Sequence, residues 1–298
     1  MSDYRSPFFP GSFEPNSDSL DLAGELARMV GQPFDREDTR KLSRRLHRAY
    51  FESIVEALEL DLDSLGFASG SAGQVAAFVP RATSIVHLDE QLDFWTFTVT
   101  HLLAVAACKR LSDDERCVLL DLFAFACEPE LFAERHDESR ARFQPWMHEH
   151  DDCLELSHAL SRAMLVFVIC HELGHAALGH TKMQASLSHE HEADELAIRY
   201  LSKIQRKGTN VRWIFLHEKL LCAPVLLFRI LAFSELVTAK RTGEMPSSTT
   251  HPSPNDRAAR VEAQLDGVLL EGARYVLDGF SKALDGIWHD LNLSQSER

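Results

Sequence analysis

Residues 159–180 read ALSRAMLVFVICHELGHAALGH. Leu160, Met164, Leu165, Phe167, Val168, Ile169, Leu173 and Ala176–Leu178 make this segment apolar nearly all round. A helix with that pattern belongs in a core rather than on a surface. Yet it carries His171, Glu172 and His175, and burying such groups without partners costs several kcal/mol. The two histidines stand at i and i+4, so they leave one face of a helix one turn apart. At that spacing two imidazoles can bind one Zn²⁺. Glu172 lies roughly 100° further round. That offset keeps it off the metal but within reach of a water beside it. The pattern is H-E-x-x-H, the arrangement of a metallopeptidase helix with a general base. Two satisfied core histidines would give the same letters, so a third ligand decides the matter.

A second helix, expected over Ser188–Arg206 with Ser188 or His189 as its cap and Lys207-Gly208 at its end, supplies that ligand. Its first turns read Glu190-His191-Glu192-Ala193-Asp194. Glu190 and Asp194 are i and i+4 and share a face with the apolar Ala197, Ile198 and Leu201, so both carboxylates point inward and both need partners. Glu190 as the third zinc ligand, and Asp194 as acceptor for the free N–H of a ligand histidine, satisfy both. Ala193 is small enough to let the two helices approach closely. His191, Glu192 and Glu195 fall on other faces, and His189 is a weaker candidate ligand. Two histidines, one glutamate and an open position form a catalytic rather than a closed structural zinc set. Glu172 would then take a proton from water and deliver it to the leaving amine. His180, after Gly179, reads as a capping or supporting group, and Cys170 as packing.

The rest of the chain sets the frame. At 298 residues, 45% hydrophobic and 26% charged, it has ordinary globular composition and enough length for a sizeable core. A net charge of −14 disfavours phosphate backbones and anionic membranes, so neither nucleic acid nor membrane is an expected partner. No basic leader followed by an apolar run opens the chain, and no uninterrupted apolar run reaches the ~20 residues of a bilayer span. The region 211–233 is broken by charges and Pro224 and reads as one or two buried helices. Six scattered cysteines (108, 117, 127, 153, 170 and 222) without a C-x-x-C pair suit reduced thiols in a cytoplasmic protein. Residues 1–18 read as a flexible tail and 19–74 as an N-terminal helical region. In that region a helix from Asp35 or Arg36 to Leu60 exposes the basic stripe Arg40, Lys41, Arg44, Arg45 and Arg48 to solvent. Gly66–Gly73 reads as small and flexible. Val75–Val79 and Ser84–Leu88, separated by Pro80, predict a β-hairpin. Helices follow over Glu90–Leu111 and Asp113–Cys127. The stretch 128–152, with two prolines, many charges and His136, His148 and His150, reads as a solvated loop. The expected fold is mainly α with a small hairpin or sheet (α+β), with a zincin-like helical domain over 75–298.

H-E-L-G-H followed by E-x-x-A-D resembles the gluzincin peptidases of the HtpX and CAAX-prenyl endopeptidase type. Thr250-His251-Pro252-Ser253-Pro254-Asn255-Asp256-Arg257 resembles the T-H-P-x-x-x-x-R segment that follows the metal helices there. Those relatives are usually membrane-embedded. The chain is more similar to the Lit-type phage-exclusion peptidases, which share the order of parts, including an aromatic helix like Leu92–Phe97, over about residues 85–260. The resemblance implies a zinc endopeptidase of abortive infection, with elongation factor Tu as substrate and a phage-derived activator. It also implies that His251 approaches the zinc site or steadies the oxyanion, and that Arg257 braces its segment. From the residues alone, His251 is equally a turn residue before Pro252. Two alternatives stand beside this reading. One is an ImmA-like peptidase cleaving a repressor or antitoxin, though such relatives carry a DNA-binding domain and no helix-turn-helix is evident here. The other is a non-catalytic zinc-bearing interaction protein, which would have no use for Glu172.

Overall fold

The chain is mainly helical with one small sheet in the computed structural model, which describes residues 36–61, 64–70, 75–207, 221–244, 251–267, 269 and 271–296. The expected tail over 1–18, the first part of the expected helical region over 19–74, the first part of 211–233, Gly208 and Thr250 lie outside the described residues. In chain order the elements are α1 (Arg36–Leu58), β1 (Gly66–Gly70), β2 (Ala77–Phe78), β3 (Ile85–Asp89), α2 (Glu90–Cys108), α3 (Asp113–Ala126), α4 (Pro129–Glu134), α5 (His136–Glu149), α6 (Leu154–Ala177), α7 (Leu187–Lys207), α8 (Ala223–Thr242), α9 (Pro254–Leu265) and α10 (Glu271–Ser296). Short 3₁₀ turns at Asp151–Cys153 and His180–Lys182 bracket α6.

The apolar helix is the centre of the molecule. Leu160, Met164, Leu165, Ile169 and Cys170 of α6 are fully buried, and α2, α7 and α8 all pack on it. By length and composition Asp151–Ala177 is apolar enough to cross a membrane, but 67% of that window is buried by the chain itself, as in the core helix of a globular domain. The surrounding helices start where their sequences provide partners for the first N–H groups. Asp89 accepts from the Gln91 N–H at 2.8 Å, Ser112 and Glu115 form a capping box, and α4, α8 and α9 each carry a proline among their first two residues. α7 begins at Leu187, so Ser188 and His189 lie in its first turn rather than capping it. All six cysteines are free thiols.

Two expectations are corrected. β2 pairs antiparallel with β3 as the predicted hairpin (Ala77 with Leu88, Phe78 with His87). The segment expected to be flexible, however, supplies β1, which pairs parallel with β3 and puts β3 in the middle. Gly-Phe-Ala-Ser-Gly has no alternating pattern to announce a strand. Tertiary contacts make it one: Phe67 stacks on Phe51 of α1 with centroids 4.9 Å apart, and Ser69 meets His47 at 3.0 Å. Similarly, 128–152 is not a loop but α4, α5 and a 3₁₀ turn. Its apolar residues are few but well placed: Phe132, Phe143 and Trp146 are buried, and Phe132 and Phe143 form an aromatic cluster with Phe125. The prolines misled because Pro129 sits in a first turn, where it costs no hydrogen bond, and Pro145 is accommodated within α5. On α1, Arg44, Arg45 and Arg48 are exposed as expected.

His101, buried on α2 against Ser157 of α6 at 3.1 Å, gives the core a pH dependence. Burial, helped by the nearby His150 and opposed by Asp152, pushes its pKa down to about 4. The folded value lies below the unfolded one, so its contribution to stability is complete above pH ~6.5 and is lost as pH falls through about 4. Replacing His101 by Leu should therefore shrink the stability difference between pH 7 and pH 4 by on the order of 2–3 kcal/mol. Denaturant midpoints at the two pH values measure this. Ser157 keeps a partner in the variant, because its hydroxyl donates to the Cys153 carbonyl at 2.6 Å.

Candidate metal centre

The site forms where the end of α6 crosses the start of α7. At the crossing, Gly174 faces the fully buried Ala193. A Cβ on Gly174 would lie 3.2 Å from the Ala193 carbonyl oxygen and 3.3 Å from its Cα. Two minimal residues thus let the backbones nearly touch, and that closeness brings side chains of both helices to one point. Leucine at 193 would separate the helices, at a cost of about 1–3 kcal/mol. An Ala193→Leu variant is expected to melt lower than the parent and to lose affinity for a metal ion at the triad; a variant with the parent's metal content would show that the crossing does not set the site.

At that point His171 Nε2 and His175 Nε2 are 3.1 Å apart. Glu190 Oε2 lies 3.5 Å from His171 Nε2, and its Oε1 lies 3.4 Å from His175 Nε2. Ligands at about 2.0–2.1 Å around a tetrahedral ion stand about 3.3–3.4 Å from one another, so the three separations match the edges of a zinc tetrahedron. Among the described residues this is the one group of three or more His, Cys, Asp or Glu side chains close enough to share an ion. The buried His150 belongs to no such group.

Around the triad is a tight charge network. Asp194 Oδ1 faces His171 Nδ1 at 2.9 Å. Arg257, from α9, donates two parallel bonds to the same carboxylate: Nε to Oδ2 at 2.8 Å and Nη2 to Oδ1 at 2.6 Å. Its Nη1 lies 3.4 Å from Glu190 Oε2, and its guanidinium covers the Phe228 ring at 4.3 Å. Burial alone would raise Glu190 and Asp194, but His171 and Arg257 outweigh it, with His175 also acting on Glu190, and hold both carboxyls below their usual range. Burial likewise pulls His171 down, yet its carboxylate partners hold it up at about 9. A proton and a metal ion compete for that imidazole. Glu172 is buried, and burial raises its carboxyl above the ordinary range.

The triad opens into a cleft of about 520 Å³. One side is formed by residues 75–79, including β2, and by the 180–186 segment; apolar residues of α6 and α8, among them Phe167, Val168, Leu227 and Leu231, line another part. Glu172 and His251 both border the space. His251 is largely exposed, with Nε2 3.7 Å from Glu190 Oε1. Of the competing ligands, His191 turns away to Asp256 at 3.1 Å, and His189 stacks on His180. His180 lies against the far side of His175, Nδ1 to Nδ1 at 3.1 Å, and reaches Glu192 with its Nε2 at 3.2 Å. Sequence reasoning missed Phe228 and Glu192. Nothing local marks Phe228 as a platform for a cation, and Glu192 lies on a polar helix face like many surface glutamates.

No curated protein and no solved structure gives a significant match to the chain. Residues 130–272, a stretch that contains every side chain of the triad and its charge network, match the family described as Peptidase U49, and that similarity supports a peptidase.

Proposed function

We propose that this protein is a zinc-dependent endopeptidase of the gluzincin type. The observation that carries the proposal is the set of near-tetrahedral separations among His171 Nε2, His175 Nε2 and the Glu190 carboxylate at the floor of a cleft. His171, His175 and Glu190 would hold the ion; when bound, zinc supplies a Lewis acid that acidifies water and polarises a peptide carbonyl. Glu172, its basicity raised by burial, is the group to take a proton from the attacking water and pass it to the departing amine. His251, at the open side of the triad, is in reach of a developing oxyanion. Asp194 fixes His171, and Arg257 balances the charge of the two inner carboxylates. The apolar side of the cleft suits a peptide chain entering with hydrophobic side chains.

The resemblance to the phage-exclusion peptidases extends the proposal to a cytoplasmic enzyme of abortive infection that cleaves elongation factor Tu when a phage-derived activator is present. Purified protein is expected to carry about one zinc per chain and to cut elongation factor Tu only with phage protein added, the product appearing on a gel and vanishing with a zinc chelator. A folded protein without zinc overturns the peptidase. Zinc binding without any cut in elongation factor Tu overturns the substrate alone.

A further inference from the structure

We propose that His180 is a positioning residue that fixes the tautomer and ring plane of His175, and that Glu192 acts on the site through it. The choice of tautomer and the effect on zinc affinity rest on the metal site proposed above; the contacts of His180 do not. His175 turns Nε2 toward His171 and Glu190. For that nitrogen to offer a lone pair, the neutral ring must carry its proton on Nδ1. Nδ1 lies 3.1 Å from His180 Nδ1, and two ring nitrogens at this separation need one proton between them. His175 therefore donates and His180 accepts. The His180 proton then sits on Nε2, which faces Glu192 Oε2 at 3.2 Å, an acceptor. Every proton in the series has one place, and Glu192 sets the order.

The position of His180 supports this role. Its side chain is only 5% exposed, so water does not readily replace it, whereas Glu192 is half-exposed. The ring is held from several sides. Gly179 turns the chain in the left-handed region at φ 72° directly after α6. The neighbouring Thr181 carbonyl accepts from the Ala82 N–H at 2.8 Å, tying the segment to the turn between β2 and β3. His189 stacks on the ring at 4.2 Å and 12°. The two ligand histidines are thus braced differently. His171 meets a buried carboxylate directly, while His175 reaches a partly solvated one through a second imidazole.

Three full-length variants test the series: His180→Phe, Glu192→Ala and the double variant. Zinc dissociation constants come from chelator competition, and the His175 and His180 tautomers from ¹⁵N chemical shifts of the zinc-free protein. His180→Phe should weaken zinc binding about 10–100-fold, the usual range for partners of ligand histidines, and should release His175 from the single Nδ1–H form. Glu192→Ala should weaken it less. The double variant should match His180→Phe alone, because Glu192 acts only through His180; roles in packing alone would add instead. Unchanged affinity and an unchanged His175 tautomer in His180→Phe overturn the proposal, and so does full additivity in the double variant. If His180→Phe does not fold, an unchanged His180 tautomer and zinc affinity in Glu192→Ala overturn it equally. Parent protein that binds no zinc overturns the peptidase, while the tautomers still decide the role of His180.

Discussion

Glu172→Gln is expected to lower peptide cleavage by about 10²–10⁴-fold, the usual contribution of a general base, with zinc content unchanged. Gln keeps the shape of the side chain but cannot take a proton. Because the native carboxyl is already buried and raised, a neutral amide there should also leave stability level or slightly improved. Single-turnover rates on a cleaved substrate, zinc analysis of the same sample and its melting temperature separate the possibilities. Retained cleavage removes Glu172 from the chemistry. Lost zinc shows that it supports the ligands rather than the proton transfer.

Arg257→Leu is expected to be the most destabilising single change at the site. Asp194 and Glu190 are both buried and both lean on this one guanidinium. Removing it leaves two buried carboxylates with one imidazolium between them, and breaking a buried pair in this way costs about 3–5 kcal/mol. Denaturation in zinc-free buffer reads that loss directly. Zinc affinity should fall as well, by about 10–100-fold, since Asp194 would no longer be held against His171. Arg257→Lys should recover little of either, because an ammonium cannot form the paired bonds to Asp194 or lie flat on Phe228. Zinc-free stability equal to the parent in Arg257→Leu would show that the network is ornamental.

How much of this was written in the chain depends on the range of the interactions. The α6 helix, its inward histidines and the carboxylate face of α7 could be read because each is a local periodicity: i and i+4 spacing, and an apolar stripe that says which way is in. Ala193 could be read as a close approach because only a small residue stands between two inward acids. β1 could not, since nothing in Gly-Phe-Ala-Ser-Gly alternates and its strand exists only through β3 and α1. The helices over 128–152 were hidden by two prolines and a dense run of charge, although Phe132, Phe143 and Trp146 bury enough surface to fold them onto α2. Arg257 came to notice through a motif, but its partners are some sixty residues away. No local pattern says that Phe228 lies beneath it, or that Glu192 reaches back to His180.

The clamp on Asp194 also has a bearing on when the site comes into being. Its guanidinium comes from α9, far downstream of the two helices that carry the ligands. A growing polypeptide that has emerged only as far as α7 has its imidazoles and acids but not the cation that lets the acids stay buried. The centre therefore depends on a segment that follows its ligands in the chain, and it is complete only when α9 is docked on α7.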